Sequence, residues 1–190
     1  AWDMHHLGGL GFIHRFLSIE KQARIVSGLT NLKVGAAIGV TGDYLERAQE
    51  LVKANCNVLL LDVAHGHHKL VKQAIERLQD EIDKKDVSII AGNVATKEGA
   101  KFLCDAGADA VRVGVGGGSL CSTRIQTGIG IPMVSSIRDV ANICDTYGVS
   151  VIADGGIRTP GDVAKAIAAG ADSVMLGNLL SGTKETPGSI

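Results

Sequence analysis

The sequence contains 190 residues, which is enough for one domain with a sizeable core and short for two. Hydrophobic residues make up 45 % and charged residues 21 %, a balance that excludes a disordered chain. The net charge of −1 gives no positive field that would attract nucleic acid or an anionic membrane. No apolar run approaches the roughly 20 residues of a membrane span, so we expect neither a membrane nor a nucleic-acid partner.

Short apolar runs, each closed by small or polar residues, alternate along the chain with amphipathic segments. The runs predict seven strands, over residues 9–14, 33–39, 57–66, 87–93, 110–116, 149–156 and 173–178. Helices are predicted over 42–56, 70–85, 97–107 and 159–171. The first is expected to begin at Thr41 or Gly42 and the last at Thr159, and the third and fourth are expected to end at Gly107 and Gly170. Apolar strands that alternate with helices indicate a parallel sheet covered on both faces.

The number and spacing of these units predict the fold class. Seven near-equal βα units fit an α/β fold of the (β/α)8 TIM-barrel type with one unit missing, and a doubly wound sheet is the alternative. No Pro/Ser-rich linker divides the chain, so residues 1–190 are expected to form one domain. Barrels keep their chemistry at the C-terminal ends of the strands. The residues at these ends are His14, Asp62, Asn93, Gly116, Asp154 and Asn178.

The block "VIADGG" and the glycine after the next predicted strand indicate a phosphate site. Gly155, Gly156 and Gly177 let backbone N–H groups approach an anion beside a helix N-terminus. The alternative is that these glycines only permit tight turns. Asp154 would lie beside the phosphate and accept hydrogen bonds from ribose hydroxyls, or it would cap a turn. Asp62 is expected to point into the barrel mouth, and its alternative role is to cap the following helix.

The stretch "GVGGGSLCSTR" (114–124) closes one predicted strand and contains a cysteine. It is not a P-loop, because no Gly-Lys-Ser/Thr follows, and its continuation is predicted to be a long glycine-containing loop rather than the helix of a dinucleotide site. Cys121, close to Arg124 and to backbone N–H groups, could have a lowered pKa and act as a nucleophile. The alternative is a loop cysteine without a chemical role.

The other three cysteines have a different setting. Cys56, Cys104 and Cys144 fall in helix-like stretches beside apolar residues, which is typical of core cysteines. A disulfide framework is therefore not expected, and a reducing cytoplasm is the expected compartment.

Histidines near one strand end suggest a metal site as an alternative. His65 and His67 form an H-x-H pair, and Asp154 is a candidate further ligand for zinc in a metal-dependent barrel hydrolase. The scattered positions of the other histidines, His5, His6 and His14, count against such a site.

In combination, these motifs resemble one family. "VRVGVGGGSLCSTRIQTGIGIP" and "VIADGGIRTPGDVAKAIAAGADSVMLGNLLSGTKETPG" are similar to the IMP dehydrogenase/GMP reductase family of purine nucleotide enzymes, and "LGGLGFIHRFLSIEKQ", "VGAAIG", "LDVAHGH" and "AGNVAT" resemble it in the same order. The resemblance covers nearly the whole chain. It implies a (β/α)8 barrel of which residues 1–190 supply strands 2 to 8, with the first strand and the C-terminal flap missing.

The resemblance also implies a role for each residue of the site. Cys121 would be the nucleophile that attacks C2 of a purine nucleotide, with Thr123 beside the reacting centre. The substrate-binding positions are Ser119, Asp154, Gly155, Gly156, Gly177 and Asn178. The cofactor-binding positions are Asp62, Asn93, Arg112 and Gly114. A potassium ion would be coordinated by the carbonyls of Gly116, Gly118 and Cys121.

The implied reaction is the oxidation of IMP to XMP with NAD through a covalent cysteine thioimidate, in guanine nucleotide biosynthesis. "SGTKETPGSI" favours this dehydrogenase, whereas Val-Ala after the aspartate in "LDVAHGH" favours the alternative, a GMP reductase that converts GMP to IMP with NADPH. A third hypothesis is a non-catalytic nucleotide-binding barrel, because the flap is missing. A homotetramer is expected from the family, whereas CBS modules are not, because the interval 21–32 is too short to hold them.

The sequence departs from the family pattern at a few positions. Gly117 stands where the family usually has proline, which predicts a more flexible loop. Met133 stands where glutamine is common. The chain begins with Ala1 rather than Met. We therefore expect that the natural protein has the first strand and the flap, and that these parts are only absent from this sequence.

Overall fold

Seven parallel strands form the central sheet of the chain, for which a computed structural model describes residues 1–83 and 87–186. Each strand pairs with its neighbours in the sequence, and the sheet order is the chain order. The strands are β1 (Gly11–Ile13), β2 (Val34–Ile38), β3 (Val58–Asp62), β4 (Ser88–Val94), β5 (Ala110–Val113), β6 (Ser150–Asp154) and β7 (Ser173–Met175). All seven predicted strands are confirmed. The doubly wound alternative is wrong, because such a sheet reverses its order at a switch point.

The described residues also form eight α-helices: α1 (Trp2–His6), α2 (Ile19–Ser27), α3 (Tyr44–Lys53), α4 (Lys69–Glu81), α5 (Lys97–Asp105), α6 (Thr123–Thr127), α7 (Met133–Tyr147) and α8 (Pro160–Ala168). The four predicted helices correspond to α3, α4, α5 and α8, although the last two residues of the helix predicted over 70–85 lie outside the described ranges. The segment predicted as a loop after the cysteine contains the short helix α6. In the part of the chain that the structure describes, no helix combines the length and apolar character that a membrane crossing requires.

Local side-chain chemistry explains where the predicted helices begin and end. The Thr159 hydroxyl accepts a hydrogen bond from the N–H of Asp162, whose carboxylate accepts one from the N–H of Thr159, so that α8 begins with a capping box. Gly107 and Gly170 have φ angles of +88° and +109°, and they end α5 and α8 in a conformation that favours glycine. α3 begins at Tyr44, somewhat later than predicted.

The two faces of the sheet bury different clusters. On the outer face, residues such as Ile38, Leu59 and Leu61 pack with the helices in the main core. The inner face forms a second cluster, to which every strand contributes: Phe12, Ala37, Val58, Leu60, Ile90, Ala110, Ile152 and Met175. β1 and β7 stand at opposite ends of the sheet order, yet side chains from both pack into this inner cluster. The sheet therefore curls around its inner face as a partial barrel.

Three of the four cysteines are core residues, as predicted. Cys56, Cys104 and Cys144 are buried with free thiols, whereas Cys121 is partly exposed. Cys104 and Cys144 lie on α5 and α7 with their sulfur atoms 3.8 Å apart, and Cys56 lies between α3 and β3 rather than in a helix. Burial raises the pKa of all three thiols, that of Cys56 to about 11.

Candidate active site

A cavity of about 250 Å³ opens at the C-terminal ends of β4 to β7. The residues that line it come from the ends of these strands and from the loops after β5, β6 and β7: Asn93, Gly114, Gly116, Gly117, Gly118, Ser119, Leu120, Cys121, Asp154, Gly155, Gly156, Ile157, Met175, Gly177 and Asn178. The carboxyl ends of parallel strands meet at one edge of the sheet, so segments far apart in the sequence form this one cavity.

Glycine is required where the loop after β5 approaches the loop after β6. Gly114 has a φ of +138°, and a Cβ atom there would overlap the carbonyl oxygen of Asp154. Gly155 has a φ of +101°, and its Cβ would lie 2.9 Å from the backbone nitrogen of Gly118. The close approach of the two loops therefore requires glycine at position 155. It does not explain Gly177, where a Cβ would meet no atom within 4 Å.

Cys121 lies on the loop after β5, with its thiol beside Thr123. The N–H of Cys121 donates a 3.1 Å hydrogen bond to the carbonyl of Gly118, which closes a turn around the cysteine. Hydrogen bonds from the hydroxyl and the N–H of Thr123 lower the pKa of the Cys121 thiol below its usual value, and they outweigh the opposing effects of partial burial and of the charge of Asp154. A partly exposed thiol with a lowered pKa has the properties of a nucleophile.

Replacing Thr123 with valine is expected to raise the pKa of Cys121. Valine has nearly the shape of threonine but donates no side-chain hydrogen bond to the thiolate, so the thiolate forms only at higher pH. The measurement is the rate of iodoacetamide alkylation at Cys121 against pH, followed by peptide mass spectrometry. The midpoint should lie below that of an ordinary thiol in the native chain and move upward in the variant, and identical midpoints would refute the role of Thr123.

A network of charged and polar groups connects the strands beneath the cavity. Arg112 on β5 is 7 % exposed, and its Nη2 donates a 2.8 Å hydrogen bond to Oδ1 of Asp62 on β3. Its Nε lies 3.7 Å from Oδ2 of Asp154. The Nδ2 of Asn93 donates hydrogen bonds of 2.8 Å to the same carboxylate oxygen and to the carbonyl of Gly114. The network fixes the Asp154 carboxylate at the cavity wall.

Several polar atoms of this network are free to bind a ligand. The Oδ1 atom of Asp154 accepts no hydrogen bond from any residue in the ranges 1–83 and 87–186, and the Asp154 side chain is 27 % exposed. Oδ1 of Asn93 and Nε of Arg112 are buried and make no hydrogen bond within the described residues. Buried polar groups without partners are costly in a finished core, so these atoms point to a ligand that hydrogen-bonds here.

The structure brings most of the predicted site residues together. Three of them do not line the cavity: Thr123 contacts the cysteine thiol, and Asp62 and Arg112 belong to the network beneath the cavity. The idea that Asp62 caps the next helix is wrong, because α4 is capped by His68, whose Nδ1 accepts a hydrogen bond from the N–H of Leu70.

Sequence reasoning missed the apolar part of the site. Leu120, Ile157 and Met175 line the cavity, and Met133 at the start of α7 packs under the glycines of both loops. The sulfur of Met133 lies only 2.9 Å from the position of a Cβ on Gly114. The departure from the family pattern at position 133 was the one signal in the sequence for this contact.

The histidines of the metal-site alternative lie in a different environment. The ring of His67 packs against Phe102 of α5, with ring centroids 4.8 Å apart, and the rings of His65 and His67 are 6.3 Å apart. Among the residues that the structure describes, no three His, Cys, Asp or Glu side chains are grouped so that they could hold a metal ion.

Comparison with known proteins gives one consistent result. The family model described as IMP dehydrogenase / GMP reductase domain matches residues 1–190. The chain is 52 % identical over 160 residues to an inosine-5'-monophosphate dehydrogenase of Aquifex aeolicus, a match that covers 84 % of this chain and 32 % of that protein. It is 53 % identical over 159 residues to a GMP reductase of Leishmania major, with coverage of 84 % and 32 %.

A third relative extends the match along the chain. An inosine-5'-monophosphate dehydrogenase of Bacillus subtilis is 44 % identical over 176 residues, which cover 93 % of this chain and 35 % of that protein. The chain thus spans about a third of the length of the curated relatives that it matches. With the family model covering every residue, the chain belongs to the IMP dehydrogenase / GMP reductase family.

Proposed function

We propose that the chain forms the nucleotide site and carries the nucleophile of a purine nucleotide oxidoreductase that converts IMP, NAD and water to XMP and NADH. The observation that carries this proposal is the position of Cys121. Its thiol has a lowered pKa, and Cys121 lines a cavity that is also lined by glycine turns and Asp154. We also propose that the seven strands belong to a (β/α)8 barrel, which the shared inner cluster of β1 and β7 supports.

The 5'-phosphate of the nucleotide would bind to the glycine turns. Gly155 and Gly156 both have positive φ angles in the turn that follows β6, and the backbone N–H groups of a turn can form a concave anion-binding site. The open space beside Gly177 leaves room for the phosphate. Ser119 and Asn178 also line the cavity. The Ser119 hydroxyl and the backbone at Asn178 would complete the phosphate contacts.

The ribose would bind to Asp154. Asn93 and Arg112 hold Oδ2 of the carboxylate, so that Oδ1 remains free to accept hydrogen bonds from ribose hydroxyls. A carboxylate that is fixed in advance costs little entropy when the nucleotide binds. The phosphate and ribose contacts together would place the purine ring beside Cys121.

The chemistry begins at C2 of the purine. The Cys121 thiolate adds to C2, and the electron pair of the C2=N bond moves to the ring nitrogen. C2 is then tetrahedral, and loss of its hydrogen as hydride restores the double bond and leaves a thioimidate on Cys121. Water adds to C2 of this thioimidate, and the cysteine leaves as thiolate when the C2–S bond breaks and the water gives up its protons, so that XMP is released.

The residues present fit a dinucleotide cofactor. NAD, when bound, supplies the acceptor for the hydride. The Asp62 side chain is 37 % exposed and can accept hydrogen bonds from a ribose, while the unpartnered Oδ1 of Asn93 offers a further acceptor. Asp62, Asn93, Arg112 and Gly114 would hold the cofactor. We also propose that carbonyls of the turn that contains Gly116, Gly118 and Cys121 would coordinate potassium.

A GMP reductase is the second candidate, favoured by the 53 % identity to the Leishmania major protein. The same thiolate would add to C2 of GMP, and the amino group would leave as ammonia. A hydride from NADPH would then reduce C2, and the cysteine would leave to give IMP. Both candidates use the same cavity and the same nucleophile, and they differ in the direction of hydride transfer.

The test is covalent capture of the nucleotide. The chain is incubated with IMP and NAD, and separately with GMP and NADPH, while the absorbance of reduced nicotinamide is followed and the Cys121 peptide is analysed by mass spectrometry. A purine adduct in the first incubation supports the dehydrogenase, and one in the second supports the reductase. Binding of nucleotide without an adduct in either incubation would contradict both and favour the non-catalytic barrel.

A further inference from the structure

The Met133 side chain touches both of the glycine loops that line the candidate active site. Its sulfur and its methyl carbon lie 2.9 and 3.0 Å from the position of a Cβ on Gly114. Its Cγ lies 3.5 and 3.8 Å from the corresponding positions on Gly117 and Gly156. The first two glycines belong to the loop after β5 and the third to the loop after β6. One side chain from α7 therefore fills the space beside three glycines of two separate loops.

Helix α7 fixes the point from which Met133 reaches these loops. Met133 is the first residue of the helix. In the same turn, the buried Ser136 donates a 2.7 Å hydrogen bond from its hydroxyl to the carbonyl of Ala95, just after β4. Ile137, one turn beyond Met133, is buried in the main core. Because its first turn is held both by a hydrogen bond and by the core, α7 provides a rigid base for Met133.

The loop after β5 connects Met133 with the Cys121 thiol. Two of the glycines that Met133 touches stand on either side of Gly116 along the chain. Thr123 makes the hydrogen bonds that lower the pKa of the thiol most, and a hydrogen bond from the backbone of Gly116 lowers it further. A shift of the loop over Met133 would carry the Gly116 backbone away from the thiol.

We propose that Met133 is a positioning residue that holds the cysteine loop and the Gly155–Gly156 turn at a fixed separation, so that one nucleotide reaches both. The two loops touch each other only through glycine backbone, as where a Cβ on Gly117 would lie 3.6 Å from the nitrogen of Gly156. An unbranched thioether side chain suits such an irregular space. A site that is held in its binding geometry loses little entropy when the ligand binds. The inference rests on the proposed function, because it assigns the thiol and the turn to one substrate.

The test shortens the side chain and follows the two loops separately. In the Met133→Ala protein, the pH midpoint of iodoacetamide alkylation at Cys121 is expected to rise, because the Gly116 backbone is no longer held beside the thiol. Equilibrium binding of IMP, which reports on the turn, should weaken by at least about tenfold. Met133→Leu has a similar apolar volume and should restore both measurements to near their native values.

A control on the same helix separates positioning from a general loss of stability. Ile137→Val removes one methylene from the main core, so it should lower the midpoint of urea unfolding but leave the alkylation midpoint and IMP affinity unchanged. Met133→Val also shortens the side chain, and it replaces the alanine variant in the test if urea unfolding shows that the alanine protein is not folded.

The possible results distinguish this inference from the proposed function. Native values in the shortened variant, equal shifts in the Ile137→Val protein, or a Met133→Leu protein as impaired as the alanine variant would each overturn the role of Met133. Failure of the native chain to bind IMP would instead contradict the proposed function. The alkylation midpoint needs no nucleotide, so it would still decide whether Met133 positions the thiol.

Discussion

Replacing Cys121 with alanine is expected to abolish covalent capture of a purine nucleotide, with adduct formation falling by about a thousandfold or more. The variant has no atom that can add to C2 of the base, and the other three thiols are buried with raised pKa values. The measurement is the amount of nucleotide on the residue-121 peptide after incubation with IMP and NAD or with GMP and NADPH.

Two further variants sharpen this prediction. Cys121→Ser keeps the size of the side chain but has a hydroxyl that stays protonated at neutral pH, so it should also fail to form an adduct. Ser122→Ala removes the neighbouring exposed hydroxyl, which caps no helix, and should leave adduct formation unchanged. An adduct in the Cys121→Ala protein would show that another residue is the nucleophile.

Replacing Gly114 with alanine is expected to lower the free energy of unfolding by at least about 3 kcal/mol and to abolish nucleotide binding. The new methyl group would overlap the carbonyl oxygen of Asp154 and press on the sulfur of Met133, at a φ of +138° that alanine rarely adopts. Relief of these contacts requires the loops after β5 and β6 to separate, which would displace the glycine turns that we propose bind the phosphate. Urea unfolding and equilibrium binding of IMP measure the two effects.

A matched glycine separates backbone strain from the loss of the loop contact. Gly148 ends α7 with a φ of +65°, and a Cβ there would meet no atom within 4 Å. Gly148→Ala should therefore cost about 1 kcal/mol from the backbone alone and leave IMP binding intact. Equal losses of stability in the two variants would contradict the contact between the loops.

The strands were predictable from the sequence, whereas several helices were not. Strands covered on both faces are apolar throughout, and such runs are visible without knowing the fold. Helix α2 was not predicted: it has only nine residues, and Gln22, one of its two buried residues, places a polar side chain in its buried face. The buried face of α7 includes Ser136 among its apolar residues, which weakens the helical period in the same way.

The position of the site was predictable, but its internal contacts were not. Polar residues after apolar runs indicated one end of the sheet, where the cavity is found. The pairing of Arg112 with Asp62 depends on the curl of the sheet, because β4 lies between their strands. The contact of Met133 with Gly114 depends on how α7 returns beneath the loops. Neither contact can be predicted from the spacing of residues along the sequence.

The order of the strands has a consequence for how the chain folds during synthesis. In the described sheet, each strand from β2 to β7 pairs with the strand that precedes it in the sequence. The entropy lost on closing the loop between paired strands depends on the length of one helical connection and does not grow as the chain lengthens. Each new unit can therefore dock on the units already made as it leaves the ribosome, and the sheet can grow from its N-terminal edge.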